Sequence, residues 1–272
     1  MARTGRFSPT GWFHIMNRGV AAQPVVRDDA DRRKLLATLE MALEQTEAFV
    51  HAYCVMTNHY HFIVEASTDQ LGRLMKGFAQ RYSQAFNKRH ERIGPVFAGR
   101  YHDVPIAGDA QLLATIRYVA LNPVAIDRYD IDRYRWSSHG AIVAGNQPPW
   151  LTSDVVDLFG GSDGYRRFVD DGRSDAEQIV EMARLANDEV RGMRTSRDRD
   201  VRDIVLLLAD RAEATLSQTL IRELGFATAE NERTARHRAR RRTDELGPVV
   251  DRLRAVLEYS TEVAGPGSGD RR

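Results

Sequence analysis

A single cysteine in 272 residues, Cys54, leaves the chain with no internal disulfide and no cysteine-built zinc centre. It lies in the apolar run AYCVM, where a thiol packs as a small buried hydrophobe. Long hydrophobic runs are missing as well. No stretch approaches the roughly 20 apolar residues that span a bilayer, and the opening MARTGRFSPTGWF lacks the apolar segment and small-residue cleavage site of a signal peptide. A cytoplasmic protein with no membrane partner is expected. Charge of one sign is also scarce. The chain has 39 Lys and Arg against 38 Asp and Glu, a net charge of +1, so any surface for nucleic acid has to come from local clustering.

Clusters are present. From Gly72 to Arg100 the cations Arg73, Lys76, Arg81, Lys88, Arg89, Arg92 and Arg100 face the lone acid Glu91. A second group, RTARHRARRR from Arg233 to Arg242, contains no acid. At 42% hydrophobic, the chain has the apolar content for a full core.

The N-terminal half alternates strand and helix signals. GWFHIMNRG reads as a strand closed by a turn, and DDADRRKLLATLEMALEQTEA as a helix with Leu35, Leu36, Leu39 and Leu43 at helical spacing. FVHAYCVM and YHFIVEA flank Thr57-Asn58 as a hairpin. DQLGRLMKGFAQRYSQAFNKRH is a long amphipathic helix, GPVFAGRYHDVPI a further strand, and GDAQLLATIRYVALNPV a helix capped by Asp109 that stops at Asn122 before Pro123. This βαββαβα order predicts an α+β fold: a ferredoxin-like antiparallel sheet with helices on one face, followed by a mainly α-helical C-terminal region. The expected domains are 8–145 for the α+β unit, 146–198 for a helical connector and 199–259 for a helical unit. A disordered, Gly- and Ser-rich tail is expected over 260–272. Val201 to Arg211, a capping box at Thr215 and Gln218, and Gly225 suggest a helix-turn-helix. Asn231 stands where such a recognition helix expects an apolar residue, so a helical bundle with a basic face fits equally.

The stretch TNHYHFIVE carries the chemistry. Alternation puts His59, His61, Ile63 and Glu65 on one strand face and Tyr60, Phe62 and Val64 on the other. Paired imidazoles on one face suit a divalent metal, although the same spacing also serves ordinary hydrogen-bonding histidines. In IRYVALNP, Tyr118 and Asn122 are one helical turn apart; this pair fits a phenol beside a carbonyl ligand and equally fits a core aromatic with a helix-ending amide.

MNRG, MTNHYHFIVE, FNKRHERIGPVFAGRY, IRYVALNPV and WSS together resemble, in order and spacing, the HUH single-tyrosine transposases, especially the REP-associated tyrosine transposases. The resemblance spans about Gly11 to Ser138. It implies that His59 and His61 are metal ligands with Asn122 as the third ligand, that Mg²⁺ or Mn²⁺ is the cofactor, and that Tyr118 is the nucleophile. The reaction it implies cuts and rejoins single-stranded, hairpin-forming or palindromic DNA through a 5′-phosphotyrosine. Thr57 replaces a frequent proline, and Tyr60 is bulkier than the usual aliphatic residue. Tyr101 is the rival nucleophile.

Arg81, Lys88, Arg89, Arg92 and Arg100 make a candidate phosphate track, with Phe97 or Tyr101 to stack a base; a solvated helix face explains the same charges. Arg18 in the NRG turn, and Arg236 and Arg240 in the C-terminal cluster, complete the DNA-contact candidates. Nucleoid association and a homodimer are compatible with this reading. Its alternatives are a catalytically idle DNA-binding regulator, and a rolling-circle initiator or relaxase.

Overall fold

A computed structural model describes residues 10–123, 130–170, 183–186, 198–211, 224–226, 229–251 and 253. The chain divides into two compact units, Met1–Ala107 with Asp132–Ser162, and Gly108–Ile131 with Asp163–Arg272.

The first unit is built on four strands, β1 (Thr10–Arg18), β2 (Phe49–Val55), β3 (His59–Ser67) and β4 (His102–Ile106), in the order β2-β3-β1-β4, every pair antiparallel. That is the ferredoxin-like order, and the fold is α+β as the sequence predicts. Helix α1 (Asp29–Leu43) begins at Asp28, whose carboxylate accepts from the Asp31 amide. Helix α2 (Thr68–Arg89) begins at Ser67, which accepts from Gln70. The expected apolar stripe of α2, Leu71, Leu74, Met75, Phe78, Tyr82 and Phe86, is buried. Phe78 meets Tyr60 and Phe62 edge-on at 5.4 and 5.6 Å between ring centroids, so α2 covers the sheet face opposite His59 and His61.

The fourth strand is shorter than expected. Gly19 bridges to Phe97 while Met16 pairs with His102, so the chain between them carries extra residues and Gly99–Tyr101 loop out before β4. Gly19 itself cannot carry a side chain, because an added Cβ would stand 1.9 Å from the Gln23 carbonyl oxygen. Its amide donates to Asn58 at 2.8 Å and ties the end of β1 to the turn that precedes His59.

The WSS segment covers the outer edge of the sheet. Val55 donates its amide to the Trp136 carbonyl, and the Ser138 hydroxyl accepts from the Tyr53 amide at 3.0 Å. Ser137 caps α4 (Ser138–Val143) by accepting from Gly140. An exposed edge strand is thereby paired and blunted. Ser138→Ala leaves the buried Tyr53 amide without this acceptor and should cost roughly 1–2 kcal/mol, read as a lower urea midpoint with an unchanged slope. Beyond this segment, α5 (Asp154–Leu158) follows a parallel bridge of Leu151 to Val50.

In the second unit, α3 (Asp109–Leu121) ends at Asn122 as expected, but Gly108 and not Asp109 holds the N-cap position. Asp109 instead supplies negative charge to the first turn, where the helix dipole favours it. Arg117 of α3 lies over the Phe168 ring at 4.3 Å and donates to the Phe168 carbonyl at 2.8 Å, joining α3 to α6 (Ser162–Asp170). Helix α7 (Asp198–Arg211) buries Ile204, Val205 and Leu206, and α8 (Ala229–Arg240) buries Ala235 and Ala239. Arg242 donates to Asp203 at 2.6 Å and to Asp200 at 2.8 Å, pinning the chain after α8 to α7. Gly225 takes φ 73°, the left-handed geometry of a helix-ending glycine. The Thr215 capping box, and with it the middle helix of the expected helix-turn-helix, lies outside the described residues, as does the 260–272 tail. Among the described residues, no helix is long and apolar enough to cross a membrane.

Candidate functional site

Strand register shows what shares a face with the paired histidines. On β3 that face carries His59, His61, Ile63 and Glu65, and the antiparallel partners on β1 are Arg18, Met16, His14 and Trp12 in turn. Directly opposed residues point the same way, so His14 and Arg18 join the two histidines. His59, His61 and His14 are all buried.

Each imidazole is oriented through one nitrogen. His59 Nδ1 lies 2.7 Å from the Asn58 side-chain oxygen, which can only accept; Nδ1 therefore carries the proton, and the lone pair of neutral His59 sits on Nε2. His61 Nδ1 meets His14 Nε2 at 2.9 Å. The His59 and His61 rings stand nearly perpendicular with centroids 5.0 Å apart. A metal-ligating histidine is commonly held in this way, through its second nitrogen by a neighbour that sets tautomer and ring angle. Two imidazoles on one strand face are donors of the kind a divalent cation takes.

A second ligand-capable cluster occupies the same face farther along β3. His51, Glu65 and Asp154 offer three ligand atoms within 4.8 Å of one another, enough to hold a metal. His51 is fully buried and stacked on Trp12 at 3.8 Å; its Nε2 meets Glu65 at 3.2 Å, while Nδ1 meets Thr152 at 2.8 Å and Asp154 at 3.2 Å. Four residues of strand, about 13 Å at 3.3 Å per residue, separate Glu65 from His61.

Burial pushes the His51 pKa below its usual 6.5, and the Asp154 and Glu65 carboxylates offset this only in part. The unfolded chain then binds a proton at His51 more readily than the fold does. Stability from this group is present above pH about 6.5 and is lost as pH falls through the lower folded value. Urea midpoints measured from pH 7.5 down to about 5 should fall less steeply in His51→Gln and more steeply in Asp154→Asn, which removes a carboxylate that favours the charged ring.

Tyr118 and Asn122 stand on the last turn of α3 and at its C-cap, and both are buried. They belong to the second unit, and the two histidines to the first. Among the other tyrosines, burial pushes the Tyr53 phenol up to about 12 and raises Tyr60 and Tyr82 further; Tyr118 is as buried as these three, so burial does not tell them apart.

The basic candidates divide by what holds them. Arg89 donates to Asp28 at 2.6 Å and to the buried Asp31, tying the end of α2 to the start of α1 and holding the Asp28 carboxyl well below the usual range. Arg81 donates to Gln45 at 2.9 Å, and Arg92 to Gln23 at 3.3 Å while lying over Phe86. Lys88 is exposed beside Arg81 on a shallow cleft, and Arg100 lies over the Tyr101 ring at 5.2 Å. In α8, Arg236 pairs with Glu232 at 2.8 Å, and Arg240 is exposed at the helix end. Phe97 is buried against Tyr60 and Phe78, so base stacking among the two aromatic candidates falls to Tyr101.

Sequence reasoning missed His14 and His51. The alternation in WFHIMNR signals that His14 shares a face with Trp12, Met16 and Arg18, but its neighbour His61 emerges only from the register. His51 is hidden by an irregularity in β2, where the pairing shifts between Val50 and Ala52.

Fold and site define a class: a ferredoxin-like α+β domain whose central strand presents a buried, oriented histidine pair. Residues 9–122 match the family described as Transposase IS200 like. A solved structure described as a REP-associated tyrosine transposase bound to a REP hairpin is similar at 17% identity and a TM-score of 0.43, covering 59% of this chain and 97% of that one. No curated protein sequence matches the chain.

Proposed function

We propose that the chain is a metal-dependent transposase that cuts and rejoins single-stranded, hairpin-forming DNA through Tyr118. The observation that carries this reading is the histidine pair inside the matched family segment, with the Nδ1 of each ring engaged by a neighbour. A buried strand face set with oriented imidazoles is a poor choice for plain packing and a good one for a cation.

In this reading His59, His61 and Asn122 hold Mg²⁺ or Mn²⁺, which would supply electrostatic stabilisation to the charge developing on the scissile phosphate. The Tyr118 phenolic oxygen attacks phosphorus, its proton leaves, the bond to the 3′ oxygen breaks, and that oxygen takes up a proton. The products are a 5′-phosphotyrosine and a 3′-hydroxyl. Since the new ester conserves the energy of the old one, attack by another 3′-hydroxyl on the same phosphorus rejoins strands and restores Tyr118 without ATP. In the same reading Arg18, which ends β1 opposite His59, neutralises a phosphate of the bound strand.

A denaturing gel tests the reading. The protein is incubated with Mn²⁺ and a labelled REP-like hairpin carrying single-stranded flanks. A strand covalently joined to protein is the expected product; tight binding with no adduct under any divalent cation would instead make the chain an idle DNA-binding regulator.

A further inference from the structure

The reaction above leaves the cluster around His51 unused. His51 is the extra residue of β2, left without a partner where the pairing with β3 shifts between Val50 and Ala52. An irregularity of this kind re-aims a side chain. The ring is fully buried under Trp12 and meets oxygen at both nitrogens: Glu65 lies 3.2 Å from Nε2, while Thr152 at 2.8 Å and Asp154 at 3.2 Å share Nδ1.

Protons are too few for these contacts. A neutral imidazole carries one N–H, and a carboxylate can only accept. With the proton on Nε2, Glu65 accepts it and Asp154 is left facing the Nδ1 lone pair, to which Thr152 can donate but Asp154 cannot. With the proton on Nδ1, Thr152 and Asp154 share it and Glu65 faces the lone pair on Nε2. Only the imidazolium form supplies both carboxylates, and burial works against that form, holding the His51 pKa below its usual 6.5. Charge points the same way. Among the described residues neither Glu65 nor Asp154 pairs with a lysine or arginine, so the cluster around a neutral ring carries two uncompensated negative charges.

We infer that His51, Glu65 and Asp154 bind a divalent transition-metal ion of the zinc class, at a site separate from the histidine pair and independent of the function proposed above. A cation set against the unprotonated nitrogen turns the contact between lone pair and carboxylate into ligation, and it neutralises both acids. One imidazole and two carboxylates are zinc donors, and their ligand atoms already lie within 4.8 Å of one another. Atoms bound to tetrahedral zinc at about 2.0–2.2 Å stand about 3.3 Å apart, close to the 3.2 Å that separates His51 from each carboxylate. The Asp154 side chain is 60% exposed, which gives the ion a path in and lets water complete its shell. Asp154 opens α5, and the Thr152 amide donates to the Val50 carbonyl at 3.0 Å, so the ion fastens the chain beyond WSS to β2 and β3.

Metal titration of the untagged full chain tests this, after stripping with a chelator. The background carries His59→Ala and His61→Ala, which remove the other imidazole pair. Zn²⁺ binding by calorimetry should saturate at one equivalent, Co²⁺ should give the visible absorption of a bound ion, and the thermal midpoint should rise with added Zn²⁺. Asp154→Asn and Glu65→Gln, each added to that background, should weaken Zn²⁺ about ten-fold or more and remove the thermal shift. If the double-alanine chain does not fold, the count is made without it: the wild type should take two equivalents of Zn²⁺ and Asp154→Asn one. No ion bound in the folded double-alanine chain, a carboxylate variant that binds as tightly as its parent, or an equal count in wild type and Asp154→Asn would each overturn the site.

Discussion

Tyr118→Phe is expected to bind hairpin DNA with wild-type affinity and to form no covalent adduct, a loss of roughly 10³-fold or more in cleavage, as expected when a nucleophile is removed. The substitution deletes one oxygen and keeps the ring. Tyr118 is buried within α3, so preserving the ring protects packing and isolates the chemistry. A single-turnover gel assay beside an anisotropy titration separates the two effects. An adduct surviving in the variant would move the nucleophile elsewhere. Tyr101, which is partly exposed, is the first rival to test.

His59→Ala is expected to abolish metal-dependent cleavage, by more than the roughly 10–100-fold that loss of an outer-shell partner costs. His14→Phe should fall within that 10–100-fold range, because it removes the group that orients His61 but leaves all the proposed ligands in the chain. Cleavage rates measured across a Mn²⁺ titration give both numbers. Rising apparent Kd for Mn²⁺ in His14→Phe, with full rate at saturation, would separate positioning from simple destabilisation. Should His59→Ala cut normally with an unchanged Mn²⁺ requirement, the cation belongs instead to His51, Glu65 and Asp154, and Glu65→Gln would then carry the loss.

How far the site could be read in advance differs residue by residue. Period-two alternation suffices to put His59 and His61 on one face, because neighbouring strand residues point oppositely whatever the sheet becomes. It cannot bring His14 to His61, which lie 47 residues apart in the chain; that contact depends on the β1 to β3 register. The irregular pairing in β2 likewise breaks the alternation that would have placed His51 beside Glu65. Charge counting fared less well. Arg89 sits in a basic run that reads as a phosphate track, yet two acids some 60 residues earlier in sequence, Asp28 and Asp31, hold its guanidinium. A formal charge is local to the sequence, whereas its neutralising partner is a property of packing.

What the sequence determined by itself is therefore the βαββαβα order of the segment up to Asn122, the α+β class, the buried stripe of α2 and the common face of the histidine pair, all of which follow from short-range periodicity and turn chemistry. Tertiary structure alone decided which nitrogen each histidine offers, that WSS seals a sheet edge, and that His51 meets Glu65 and Asp154. These depend on strand register and on groups far apart in the chain meeting in space, and neither is encoded in the spacing of nearby residues.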